Sequence, residues 1–207
     1  MAYNYDNAAW FYDSLSQLVF GRAIVNAQVY LLQFIPAQSN ILIVGGGTGW
    51  ILDELTKLQP SGLNITYVEV SVKMMELSSK RNLGGNQVTF INTSVEEVVL
   101  LSDFDVVITP FLFDNFSQQT AKNVFSHLNF ALKYSGLWLY ADFEPTGKLW
   151  QKILLKTMHI FFRILCSVAT DRLPDVQQLF HDQLYTPTHS KQFFGHFIKA
   201  AVYRRGR

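Results

Sequence analysis

A chain of 207 residues with 49% hydrophobic and 16% charged side chains has the size and composition of one compact domain built on a single sizeable core. Its formal net charge of +1 supplies no broad field for drawing in a polyanion, so no nucleic-acid partner is expected. Cys166 is the only cysteine, which excludes an intramolecular disulfide and a multi-cysteine zinc site; no metal is expected, and a reducing compartment fits.

The opening MAYNYDNAAW lacks a basic region followed by an apolar one, and no window approaches the run of about 18 uncharged apolar residues that spans a bilayer. The expected location is cytoplasmic, with no integral membrane span. From Ala8 to Phe34 apolar residues recur at helical spacing (Phe11, Leu15, Leu18, Val19, then Ile24, Val25, Val29, Leu32), broken near Gly21 and closed by Pro36. Short apolar runs follow at Ile41–Val44, Ile65–Val70, Val88–Ile91, Asp105–Thr109 and Leu137–Phe143. Helical patterns separate and follow them, near Thr48–Leu58, Val72–Arg81, Phe116–Leu132 and Leu149–Val168. This alternation predicts an α/β fold with a mostly parallel sheet buried on both faces. Phe193–Arg205 reads as a glycine-broken hairpin ending in the strand FIKAAVY. The expected organisation is a single domain over 1–207, with a helical cap at 1–36, a cofactor-binding core at 37–143, and a helix and closing hairpin at 144–207.

The first strand runs directly into glycines, ILIVGGGTGW over residues 41–50. A glycine-rich turn between a strand and a helix lets a ligand approach the main chain, and glycine accepts the positive φ of a tight turn. Glu69 ends the second strand 20 positions after Gly49, where a carboxylate can accept from both hydroxyls of a ribose. The plain alternative is a close helix–strand contact beside a solvated acid. The pair at this spacing favours a nucleoside. The dinucleotide fingerprint G-x-G-x-x-G, started at Gly45, needs a third glycine at position 50, which is Trp50.

What stands is G-x-G-x-G, formed by Gly45, Gly47 and Gly49, and here the chain resembles the class I S-adenosylmethionine-dependent methyltransferases. YVEVSVKMMELSSKR is similar to that family's second strand and following helix, FDVVITPFLFDNF to its fourth-strand motif and LKYSGLWLYADF to its fifth. The opening YDNAAWFYD resembles small-molecule methyltransferases of ubiquinone and menaquinone biosynthesis. The resemblance implies a Rossmann-like, mostly parallel seven-stranded sheet with helices on both faces and a C-terminal antiparallel hairpin. It also implies S-adenosyl-L-methionine as cofactor, held by Gly45, Gly46, Gly47, Thr48 and Gly49 at the methionine part, Glu69 at the ribose, and Val70 and Ser94 near the adenine. Thr109 and Pro110 would line the transfer chamber. Two positions depart from the pattern: Ile43 stands where an acid often precedes the first glycine, and Ser94 where an aspartate is common.

Methyl transfer requires no protein nucleophile, but a general base helps when the acceptor is a hydroxyl or an acidic carbon. Tyr12, Asp114, Asp142 and His159 are the candidates. Each has a structural alternative: packing on the sheet for Tyr12, capping the helix opened by SQQ for Asp114, accepting strand-end amides for Asp142, and a solvated face for His159. Lys148, Lys152, Lys156, His159 and Arg163 step by four, four, three and four along one face of a heavily apolar helix. Core packing with solvated charge is the plain reading of that helix; a substrate cover, a dimer contact or a membrane surface is the other. A hydrophobic acceptor chamber is expected from Tyr12, Pro110, Phe111, Trp150 and Met158. Three functions remain open: methyl transfer to a small apolar or aromatic molecule, a nucleotide-dependent oxidoreductase, and a non-enzymatic protein that keeps the fold. A homodimer is compatible with each.

Overall fold

The computed structural model describes residues 6, 9–166 and 172–205. Seven strands form one sheet in the order β3-β2-β1-β4-β5-β7-β6. β1 (Asn40–Val44), β2 (Ser61–Val68), β3 (Gly85–Ile91), β4 (Phe104–Pro110) and β5 (Leu132–Phe143) run parallel. β7 (Ile198–Arg205) returns antiparallel beside β5, and β6 (Tyr185–Phe193) closes the edge. The chain winds outward from β1 to β3, then crosses back to lay β4 on the other side of β1. That reversal opens a crevice at the carboxyl ends of β1 and β4.

Because strand side chains alternate, each strand feeds two cores. Ile41, Ile43, Ile65, Val106, Ile108, Leu137 and Leu139 face one side, where α2 (Ala23–Leu32) and α3 (Trp50–Leu58) contribute Ala27, Leu31, Ile51 and Leu55. Leu42, Val44, Val107, Trp138 and Tyr140 face the other, covered by α5 (Gln118–Ala131) and α7 (Val176–Asp182). Aromatic contacts tie this second core together: Phe125 stacks on Trp138 with centroids 4.6 Å apart, and Phe180 stacks on Tyr203 at 3.8 Å. Both faces of the sheet carry helices, as the alternation predicted.

The N-terminal preface is α1 (Tyr12–Phe20) and α2, broken at Gly21 with a φ of 57°. β2 and β5 start earlier than expected, at Ser61 and Leu132, and α4 (Val72–Ser78) stops short of Arg81. α6 (Leu149–Cys166) follows its prediction through the last described residue; Val168 lies outside the described residues. Among the described residues, α7 and most of β6 escape the sequence reading, as does a 3₁₀ turn at Phe113–Asn115. The first is a seven-residue helix, VQQLFHD, too short to display a period and capped by Asp175, whose side chain accepts from Gln178 N. The second is an edge strand whose outer residues are nearly all exposed, and Pro187 sits at its bulge.

Gly49 positions α3 on α4. It caps α3 in the left-handed region, φ 78°, and a Cβ there would lie 2.5 Å from Ser78 Cβ. Gly49→Ala is therefore expected to lower stability by about 3 kcal/mol, combining the left-handed backbone cost with overpacking, measured by chemical denaturation.

Candidate functional site

The crevice at the reversal point is a cleft of about 570 Å³. Its floor is the β1 exit, where Gly45, Gly47 and Gly49 take φ values of 68°, 62° and 78°. The spacing of two in G-x-G-x-G thus marks every second residue entering the left-handed region, which side chains resist. Gly45, Gly46, Gly47 and Thr48 line the cleft. Gly49 is not among the lining residues; its role is the helix contact described above.

Two residues of the β2 end hold the loop by a single peptide segment. Tyr67 Oη donates to the carbonyl of Gly47 at 3.0 Å, and Gly47 N donates to Glu69 Oε2 at 3.0 Å. The other carboxylate oxygen, Oε1, accepts from Ser71 N at 2.9 Å. Tyr67 is fully buried, and a Cβ on Gly46 would collide with its ring, so the loop rests directly on the phenol. Glu69 is 4% exposed. Burial pushes its carboxyl above the usual range, opposed by the amides of Ser71 and Gly47. Burial, then the charge of Glu69, pushes the Tyr67 phenol well above its ordinary value.

Val70 and Ser94 join Glu69 on the cleft wall, as does Pro110. Thr109 does not: it is fully buried, and its Oγ1 accepts from Trp138 Nε1 at 2.9 Å inside the second core. Strand alternation explains the difference, since neighbours on β4 point to opposite sides. Phe111, just beyond, takes φ 53° and lines the cleft, its amide bonded to Ala141 O at 2.7 Å. A left-handed, non-glycine residue at the mouth of a cleft marks a backbone held against its preference by its surroundings. Ile43 is fully buried in the first core and does not line the cleft.

The N-terminal cap reaches over the loop. Thr48 Oγ1 donates to Asp13 Oδ2 at 2.7 Å, and Arg81 Nε donates to Thr48 O at 2.9 Å while its Nη1 meets Asp53 Oδ2 at 3.1 Å. Ser71 Oγ donates to Asp6 Oδ1 at 2.5 Å, a bond that holds the Asp6 carboxyl below its ordinary value. Tyr67, Asp13 and Arg81 were absent from the sequence reading. Only Tyr67 had a signal, its place on β2 two residues before Glu69.

Beyond the loop the cleft becomes apolar, lined by Leu15, Val19 and Phe20 of α1, Phe111, and Leu154, Met158 and Phe161 of α6. Tyr12, Pro110, Phe111 and Met158 meet there as expected. Trp150 does not; it packs on Phe194 and Phe197 at 5.7 and 5.8 Å and anchors α6 to the β6–β7 turn.

Of the four acid–base candidates, Tyr12 and Asp114 line the cleft, and Asp142 and His159 do not. Asp142 is 2% exposed and accepts from Phe113 N at 3.0 Å and Phe143 N at 2.8 Å, a structural role. Burial raises its carboxyl to about 7 against those amides. Asp114 sits in a short 3₁₀ turn, Phe113–Asn115, and its Oδ1 accepts from Asn115 Nδ2 at 2.7 Å. Burial, then the charge of Asp142, raises its carboxyl well above the ordinary range. The α5 cap is Ser117, which accepts from Thr120 N, so Asp114 does not cap that helix. His159 is half-buried, its Nε2 has no hydrogen-bond partner among the described residues, and burial followed by Arg163 lowers its pKa. Among the described residues no cluster of His, Cys, Asp or Glu is arranged to hold a metal, and no helix is long and apolar enough to cross a membrane.

Residues 41–136 match the family model described as "Methyltransferase domain". The chain is 33% identical over 109 residues to the malonyl-[acyl-carrier protein] O-methyltransferase of Bacillus cereus, a match covering 52% of this chain and 38% of that protein. The chain thus aligns with well under half the length of that relative. Its fold is similar to the Burkholderia thailandensis 1,6-didemethyltoxoflavin-N1-methyltransferase, solved with that compound and S-adenosylhomocysteine, at TM-score 0.68 and 15% identity, covering 98% of this chain and 86% of that one. It is also similar to the magnesium protoporphyrin IX methyltransferase of Synechocystis, solved with S-adenosylhomocysteine, at TM-score 0.63 and 16% identity, covering 89% and 83%. The family match begins at β1 and takes in the glycine loop, Glu69 and β4, the same residues that build the floor and wall of the cleft.

Proposed function

We propose that this protein transfers the methyl group of S-adenosylmethionine to a small apolar or aromatic molecule. The observation that carries the reading is one continuous cleft with two chemistries: a glycine loop and buried carboxylate at one end, and an apolar chamber at the other. The loop end fits the cofactor. A Cβ on Gly47 would meet only Met74 Sδ, at 3.9 Å, so its outer face opens on the cleft beside Glu69. Glu69 would accept from the ribose hydroxyls, Val70 and Ser94 would flank the adenine, and Gly45 to Thr48 would face the methionine part. When bound, the cofactor supplies an already activated methyl group, so no protein nucleophile is required.

The chain's own task is to align an acceptor and exclude water. Leu15, Val19, Met158 and Phe161 do the second. We assign the first to Asp114. Backbone amides favour the charged form of Asp142, so of the two carboxyls Asp114, pushed well above its ordinary range by burial and by the Asp142 charge, is the one biased toward its protonated form. A neutral carboxyl offers a donor and an acceptor to a polar group on an otherwise apolar molecule. The oxidoreductase alternative has less support, because Trp50 opens α3 and lines the cleft where a dinucleotide cradle needs glycine. A cytoplasmic protein of one domain, capped at 1–36 and closed by 144–207, is the organisation that accompanies this reading.

Glu69→Ala is expected to weaken S-adenosylhomocysteine binding by about 2 kcal/mol, roughly 30-fold, in isothermal titration. Because that variant also frees two loop amides, the decisive comparison uses a 2′,3′-dideoxy analogue: it should bind parent and variant alike. Equal losses for both ligands would remove Glu69 from the ribose. Activity is tested by transfer of labelled methyl to hydroxylated aromatic compounds and to the organic-extractable fraction of cell extract. Asp114→Leu should lower transfer about 100-fold with cofactor affinity intact, while Asp114→Asn, which keeps a donor and an acceptor, should retain most of it. Label confined to macromolecules, or no transfer alongside normal cofactor binding, would contradict the reading.

A further inference from the structure

The roof of the cleft has an outer face that the methyl-transfer reading leaves unused. Leu154, Met158 and Phe161 point α6 into the cleft. The opposite side of the same helix presents Leu149, Ile153 and Ile160, which are 74%, 59% and 49% exposed. Lys152, Lys156 and Arg163 are exposed among them. Trp10, just before α1, and Leu18 within it are 82% and 83% exposed, and the two segments touch through Phe11, at the start of α1, and Phe161, whose rings lie 6.3 Å apart.

Ordinary surface does not have this composition. A helix that merely divides core from solvent has one apolar face and one polar face; α6 is apolar inside and mixes large apolar with basic residues outside. It contains no Asp or Glu, although the whole chain carries 17 basic and 16 acidic residues. Among the described residues, the side chains of Lys152 and Lys156 make no hydrogen bond or ion pair, so their charge is free to meet an external anion. Indole at the rim, aliphatic side chains between, and unpaired ammonium groups alongside are the elements that seat a helix at the headgroup level of an anionic bilayer.

We propose that the outer face of α1 and α6 docks on an anionic phospholipid surface, so that a lipophilic acceptor enters the cleft from the bilayer between these helices. The docking stands on the surface alone; the acceptor's route rests on the methyl-transfer reading. Charge complementarity selects the occupant, since a second copy would set Lys152 and Lys156 against the same basic face.

Flotation of the full chain with vesicles tests this. Binding is expected to phosphatidylglycerol–phosphatidylcholine vesicles and to be about tenfold or more weaker to phosphatidylcholine alone. Lys152→Glu with Lys156→Glu, and separately Ile153→Asp, should each abolish flotation while S-adenosylhomocysteine affinity stays within about twofold. Those residues are exposed, so the fold should persist. No flotation with anionic vesicles, or flotation unchanged by both variants, overturns the proposal; concentration-dependent dimers broken by Ile153→Asp without flotation would assign the face to a second copy instead. Vesicle binding by a chain that fails to bind S-adenosylhomocysteine would leave the docking in place and remove the methyl-transfer reading.

Discussion

The Gly47 peptide, gripped at its carbonyl by Tyr67 and at its amide by Glu69, is the constraint on which the site depends. A loop of glycines left to itself would sample many conformations, and each would present different donors to a ligand. Two side chains spaced by two at the end of β2 select one of them. The selection costs little further entropy, because Tyr67 belongs to a strand already fixed by its pairing with β1 and β3 and Glu69 directly follows its last residue. The arrangement also explains why Glu69 is buried and still hydrogen-bonded: its carboxylate joins the Gly47 amide of the loop to the Ser71 amide at the start of α4, while the residue lines the cleft.

From that anchor the rest follows by connection. Reversal of strand order places β4 beside β1, so the exit of β4 at Pro110 and Phe111 faces the loop across the cleft. Asp13 and Asp6 bring the N-terminal segment onto Thr48 and Ser71, which ties the roof to the same loop and to the start of α4. α6 reaches the roof from the other end of the chain, held at its start by Trp150 against the β6–β7 turn. The apolar chamber is therefore built from segments far apart in sequence and joined only by the fold.

This division explains what could be read in advance. The sheet, the glycine loop and Glu69 belong to one local run whose spacing reports backbone geometry directly, and alternating apolar strands announced both cores. Thr109 against Pro110 is a question of which face of β4 each occupies, and a buried parallel strand, apolar on both faces, hides that phase. Trp150 looked like chamber lining because an amphipathic helix has two sides and sequence does not say which partner each meets. Tyr67 and Arg81 act through hydrogen bonds to backbone atoms of the loop, contacts that leave no periodic mark. α7 and β6 were invisible for simpler reasons, brevity in one case and an exposed, polar edge in the other.

The most direct measurement is titration of S-adenosylhomocysteine into Gly47→Val, with thermal unfolding recorded on the same sample. A branched side chain at φ 62° would project into the cleft, whose nearest obstruction is Met74 Sδ at 3.9 Å. Binding should vanish while the melting temperature falls by only roughly 5 °C, the cost of one strained residue. Parent-like affinity in a folded variant would show that the loop is not the cofactor's seat.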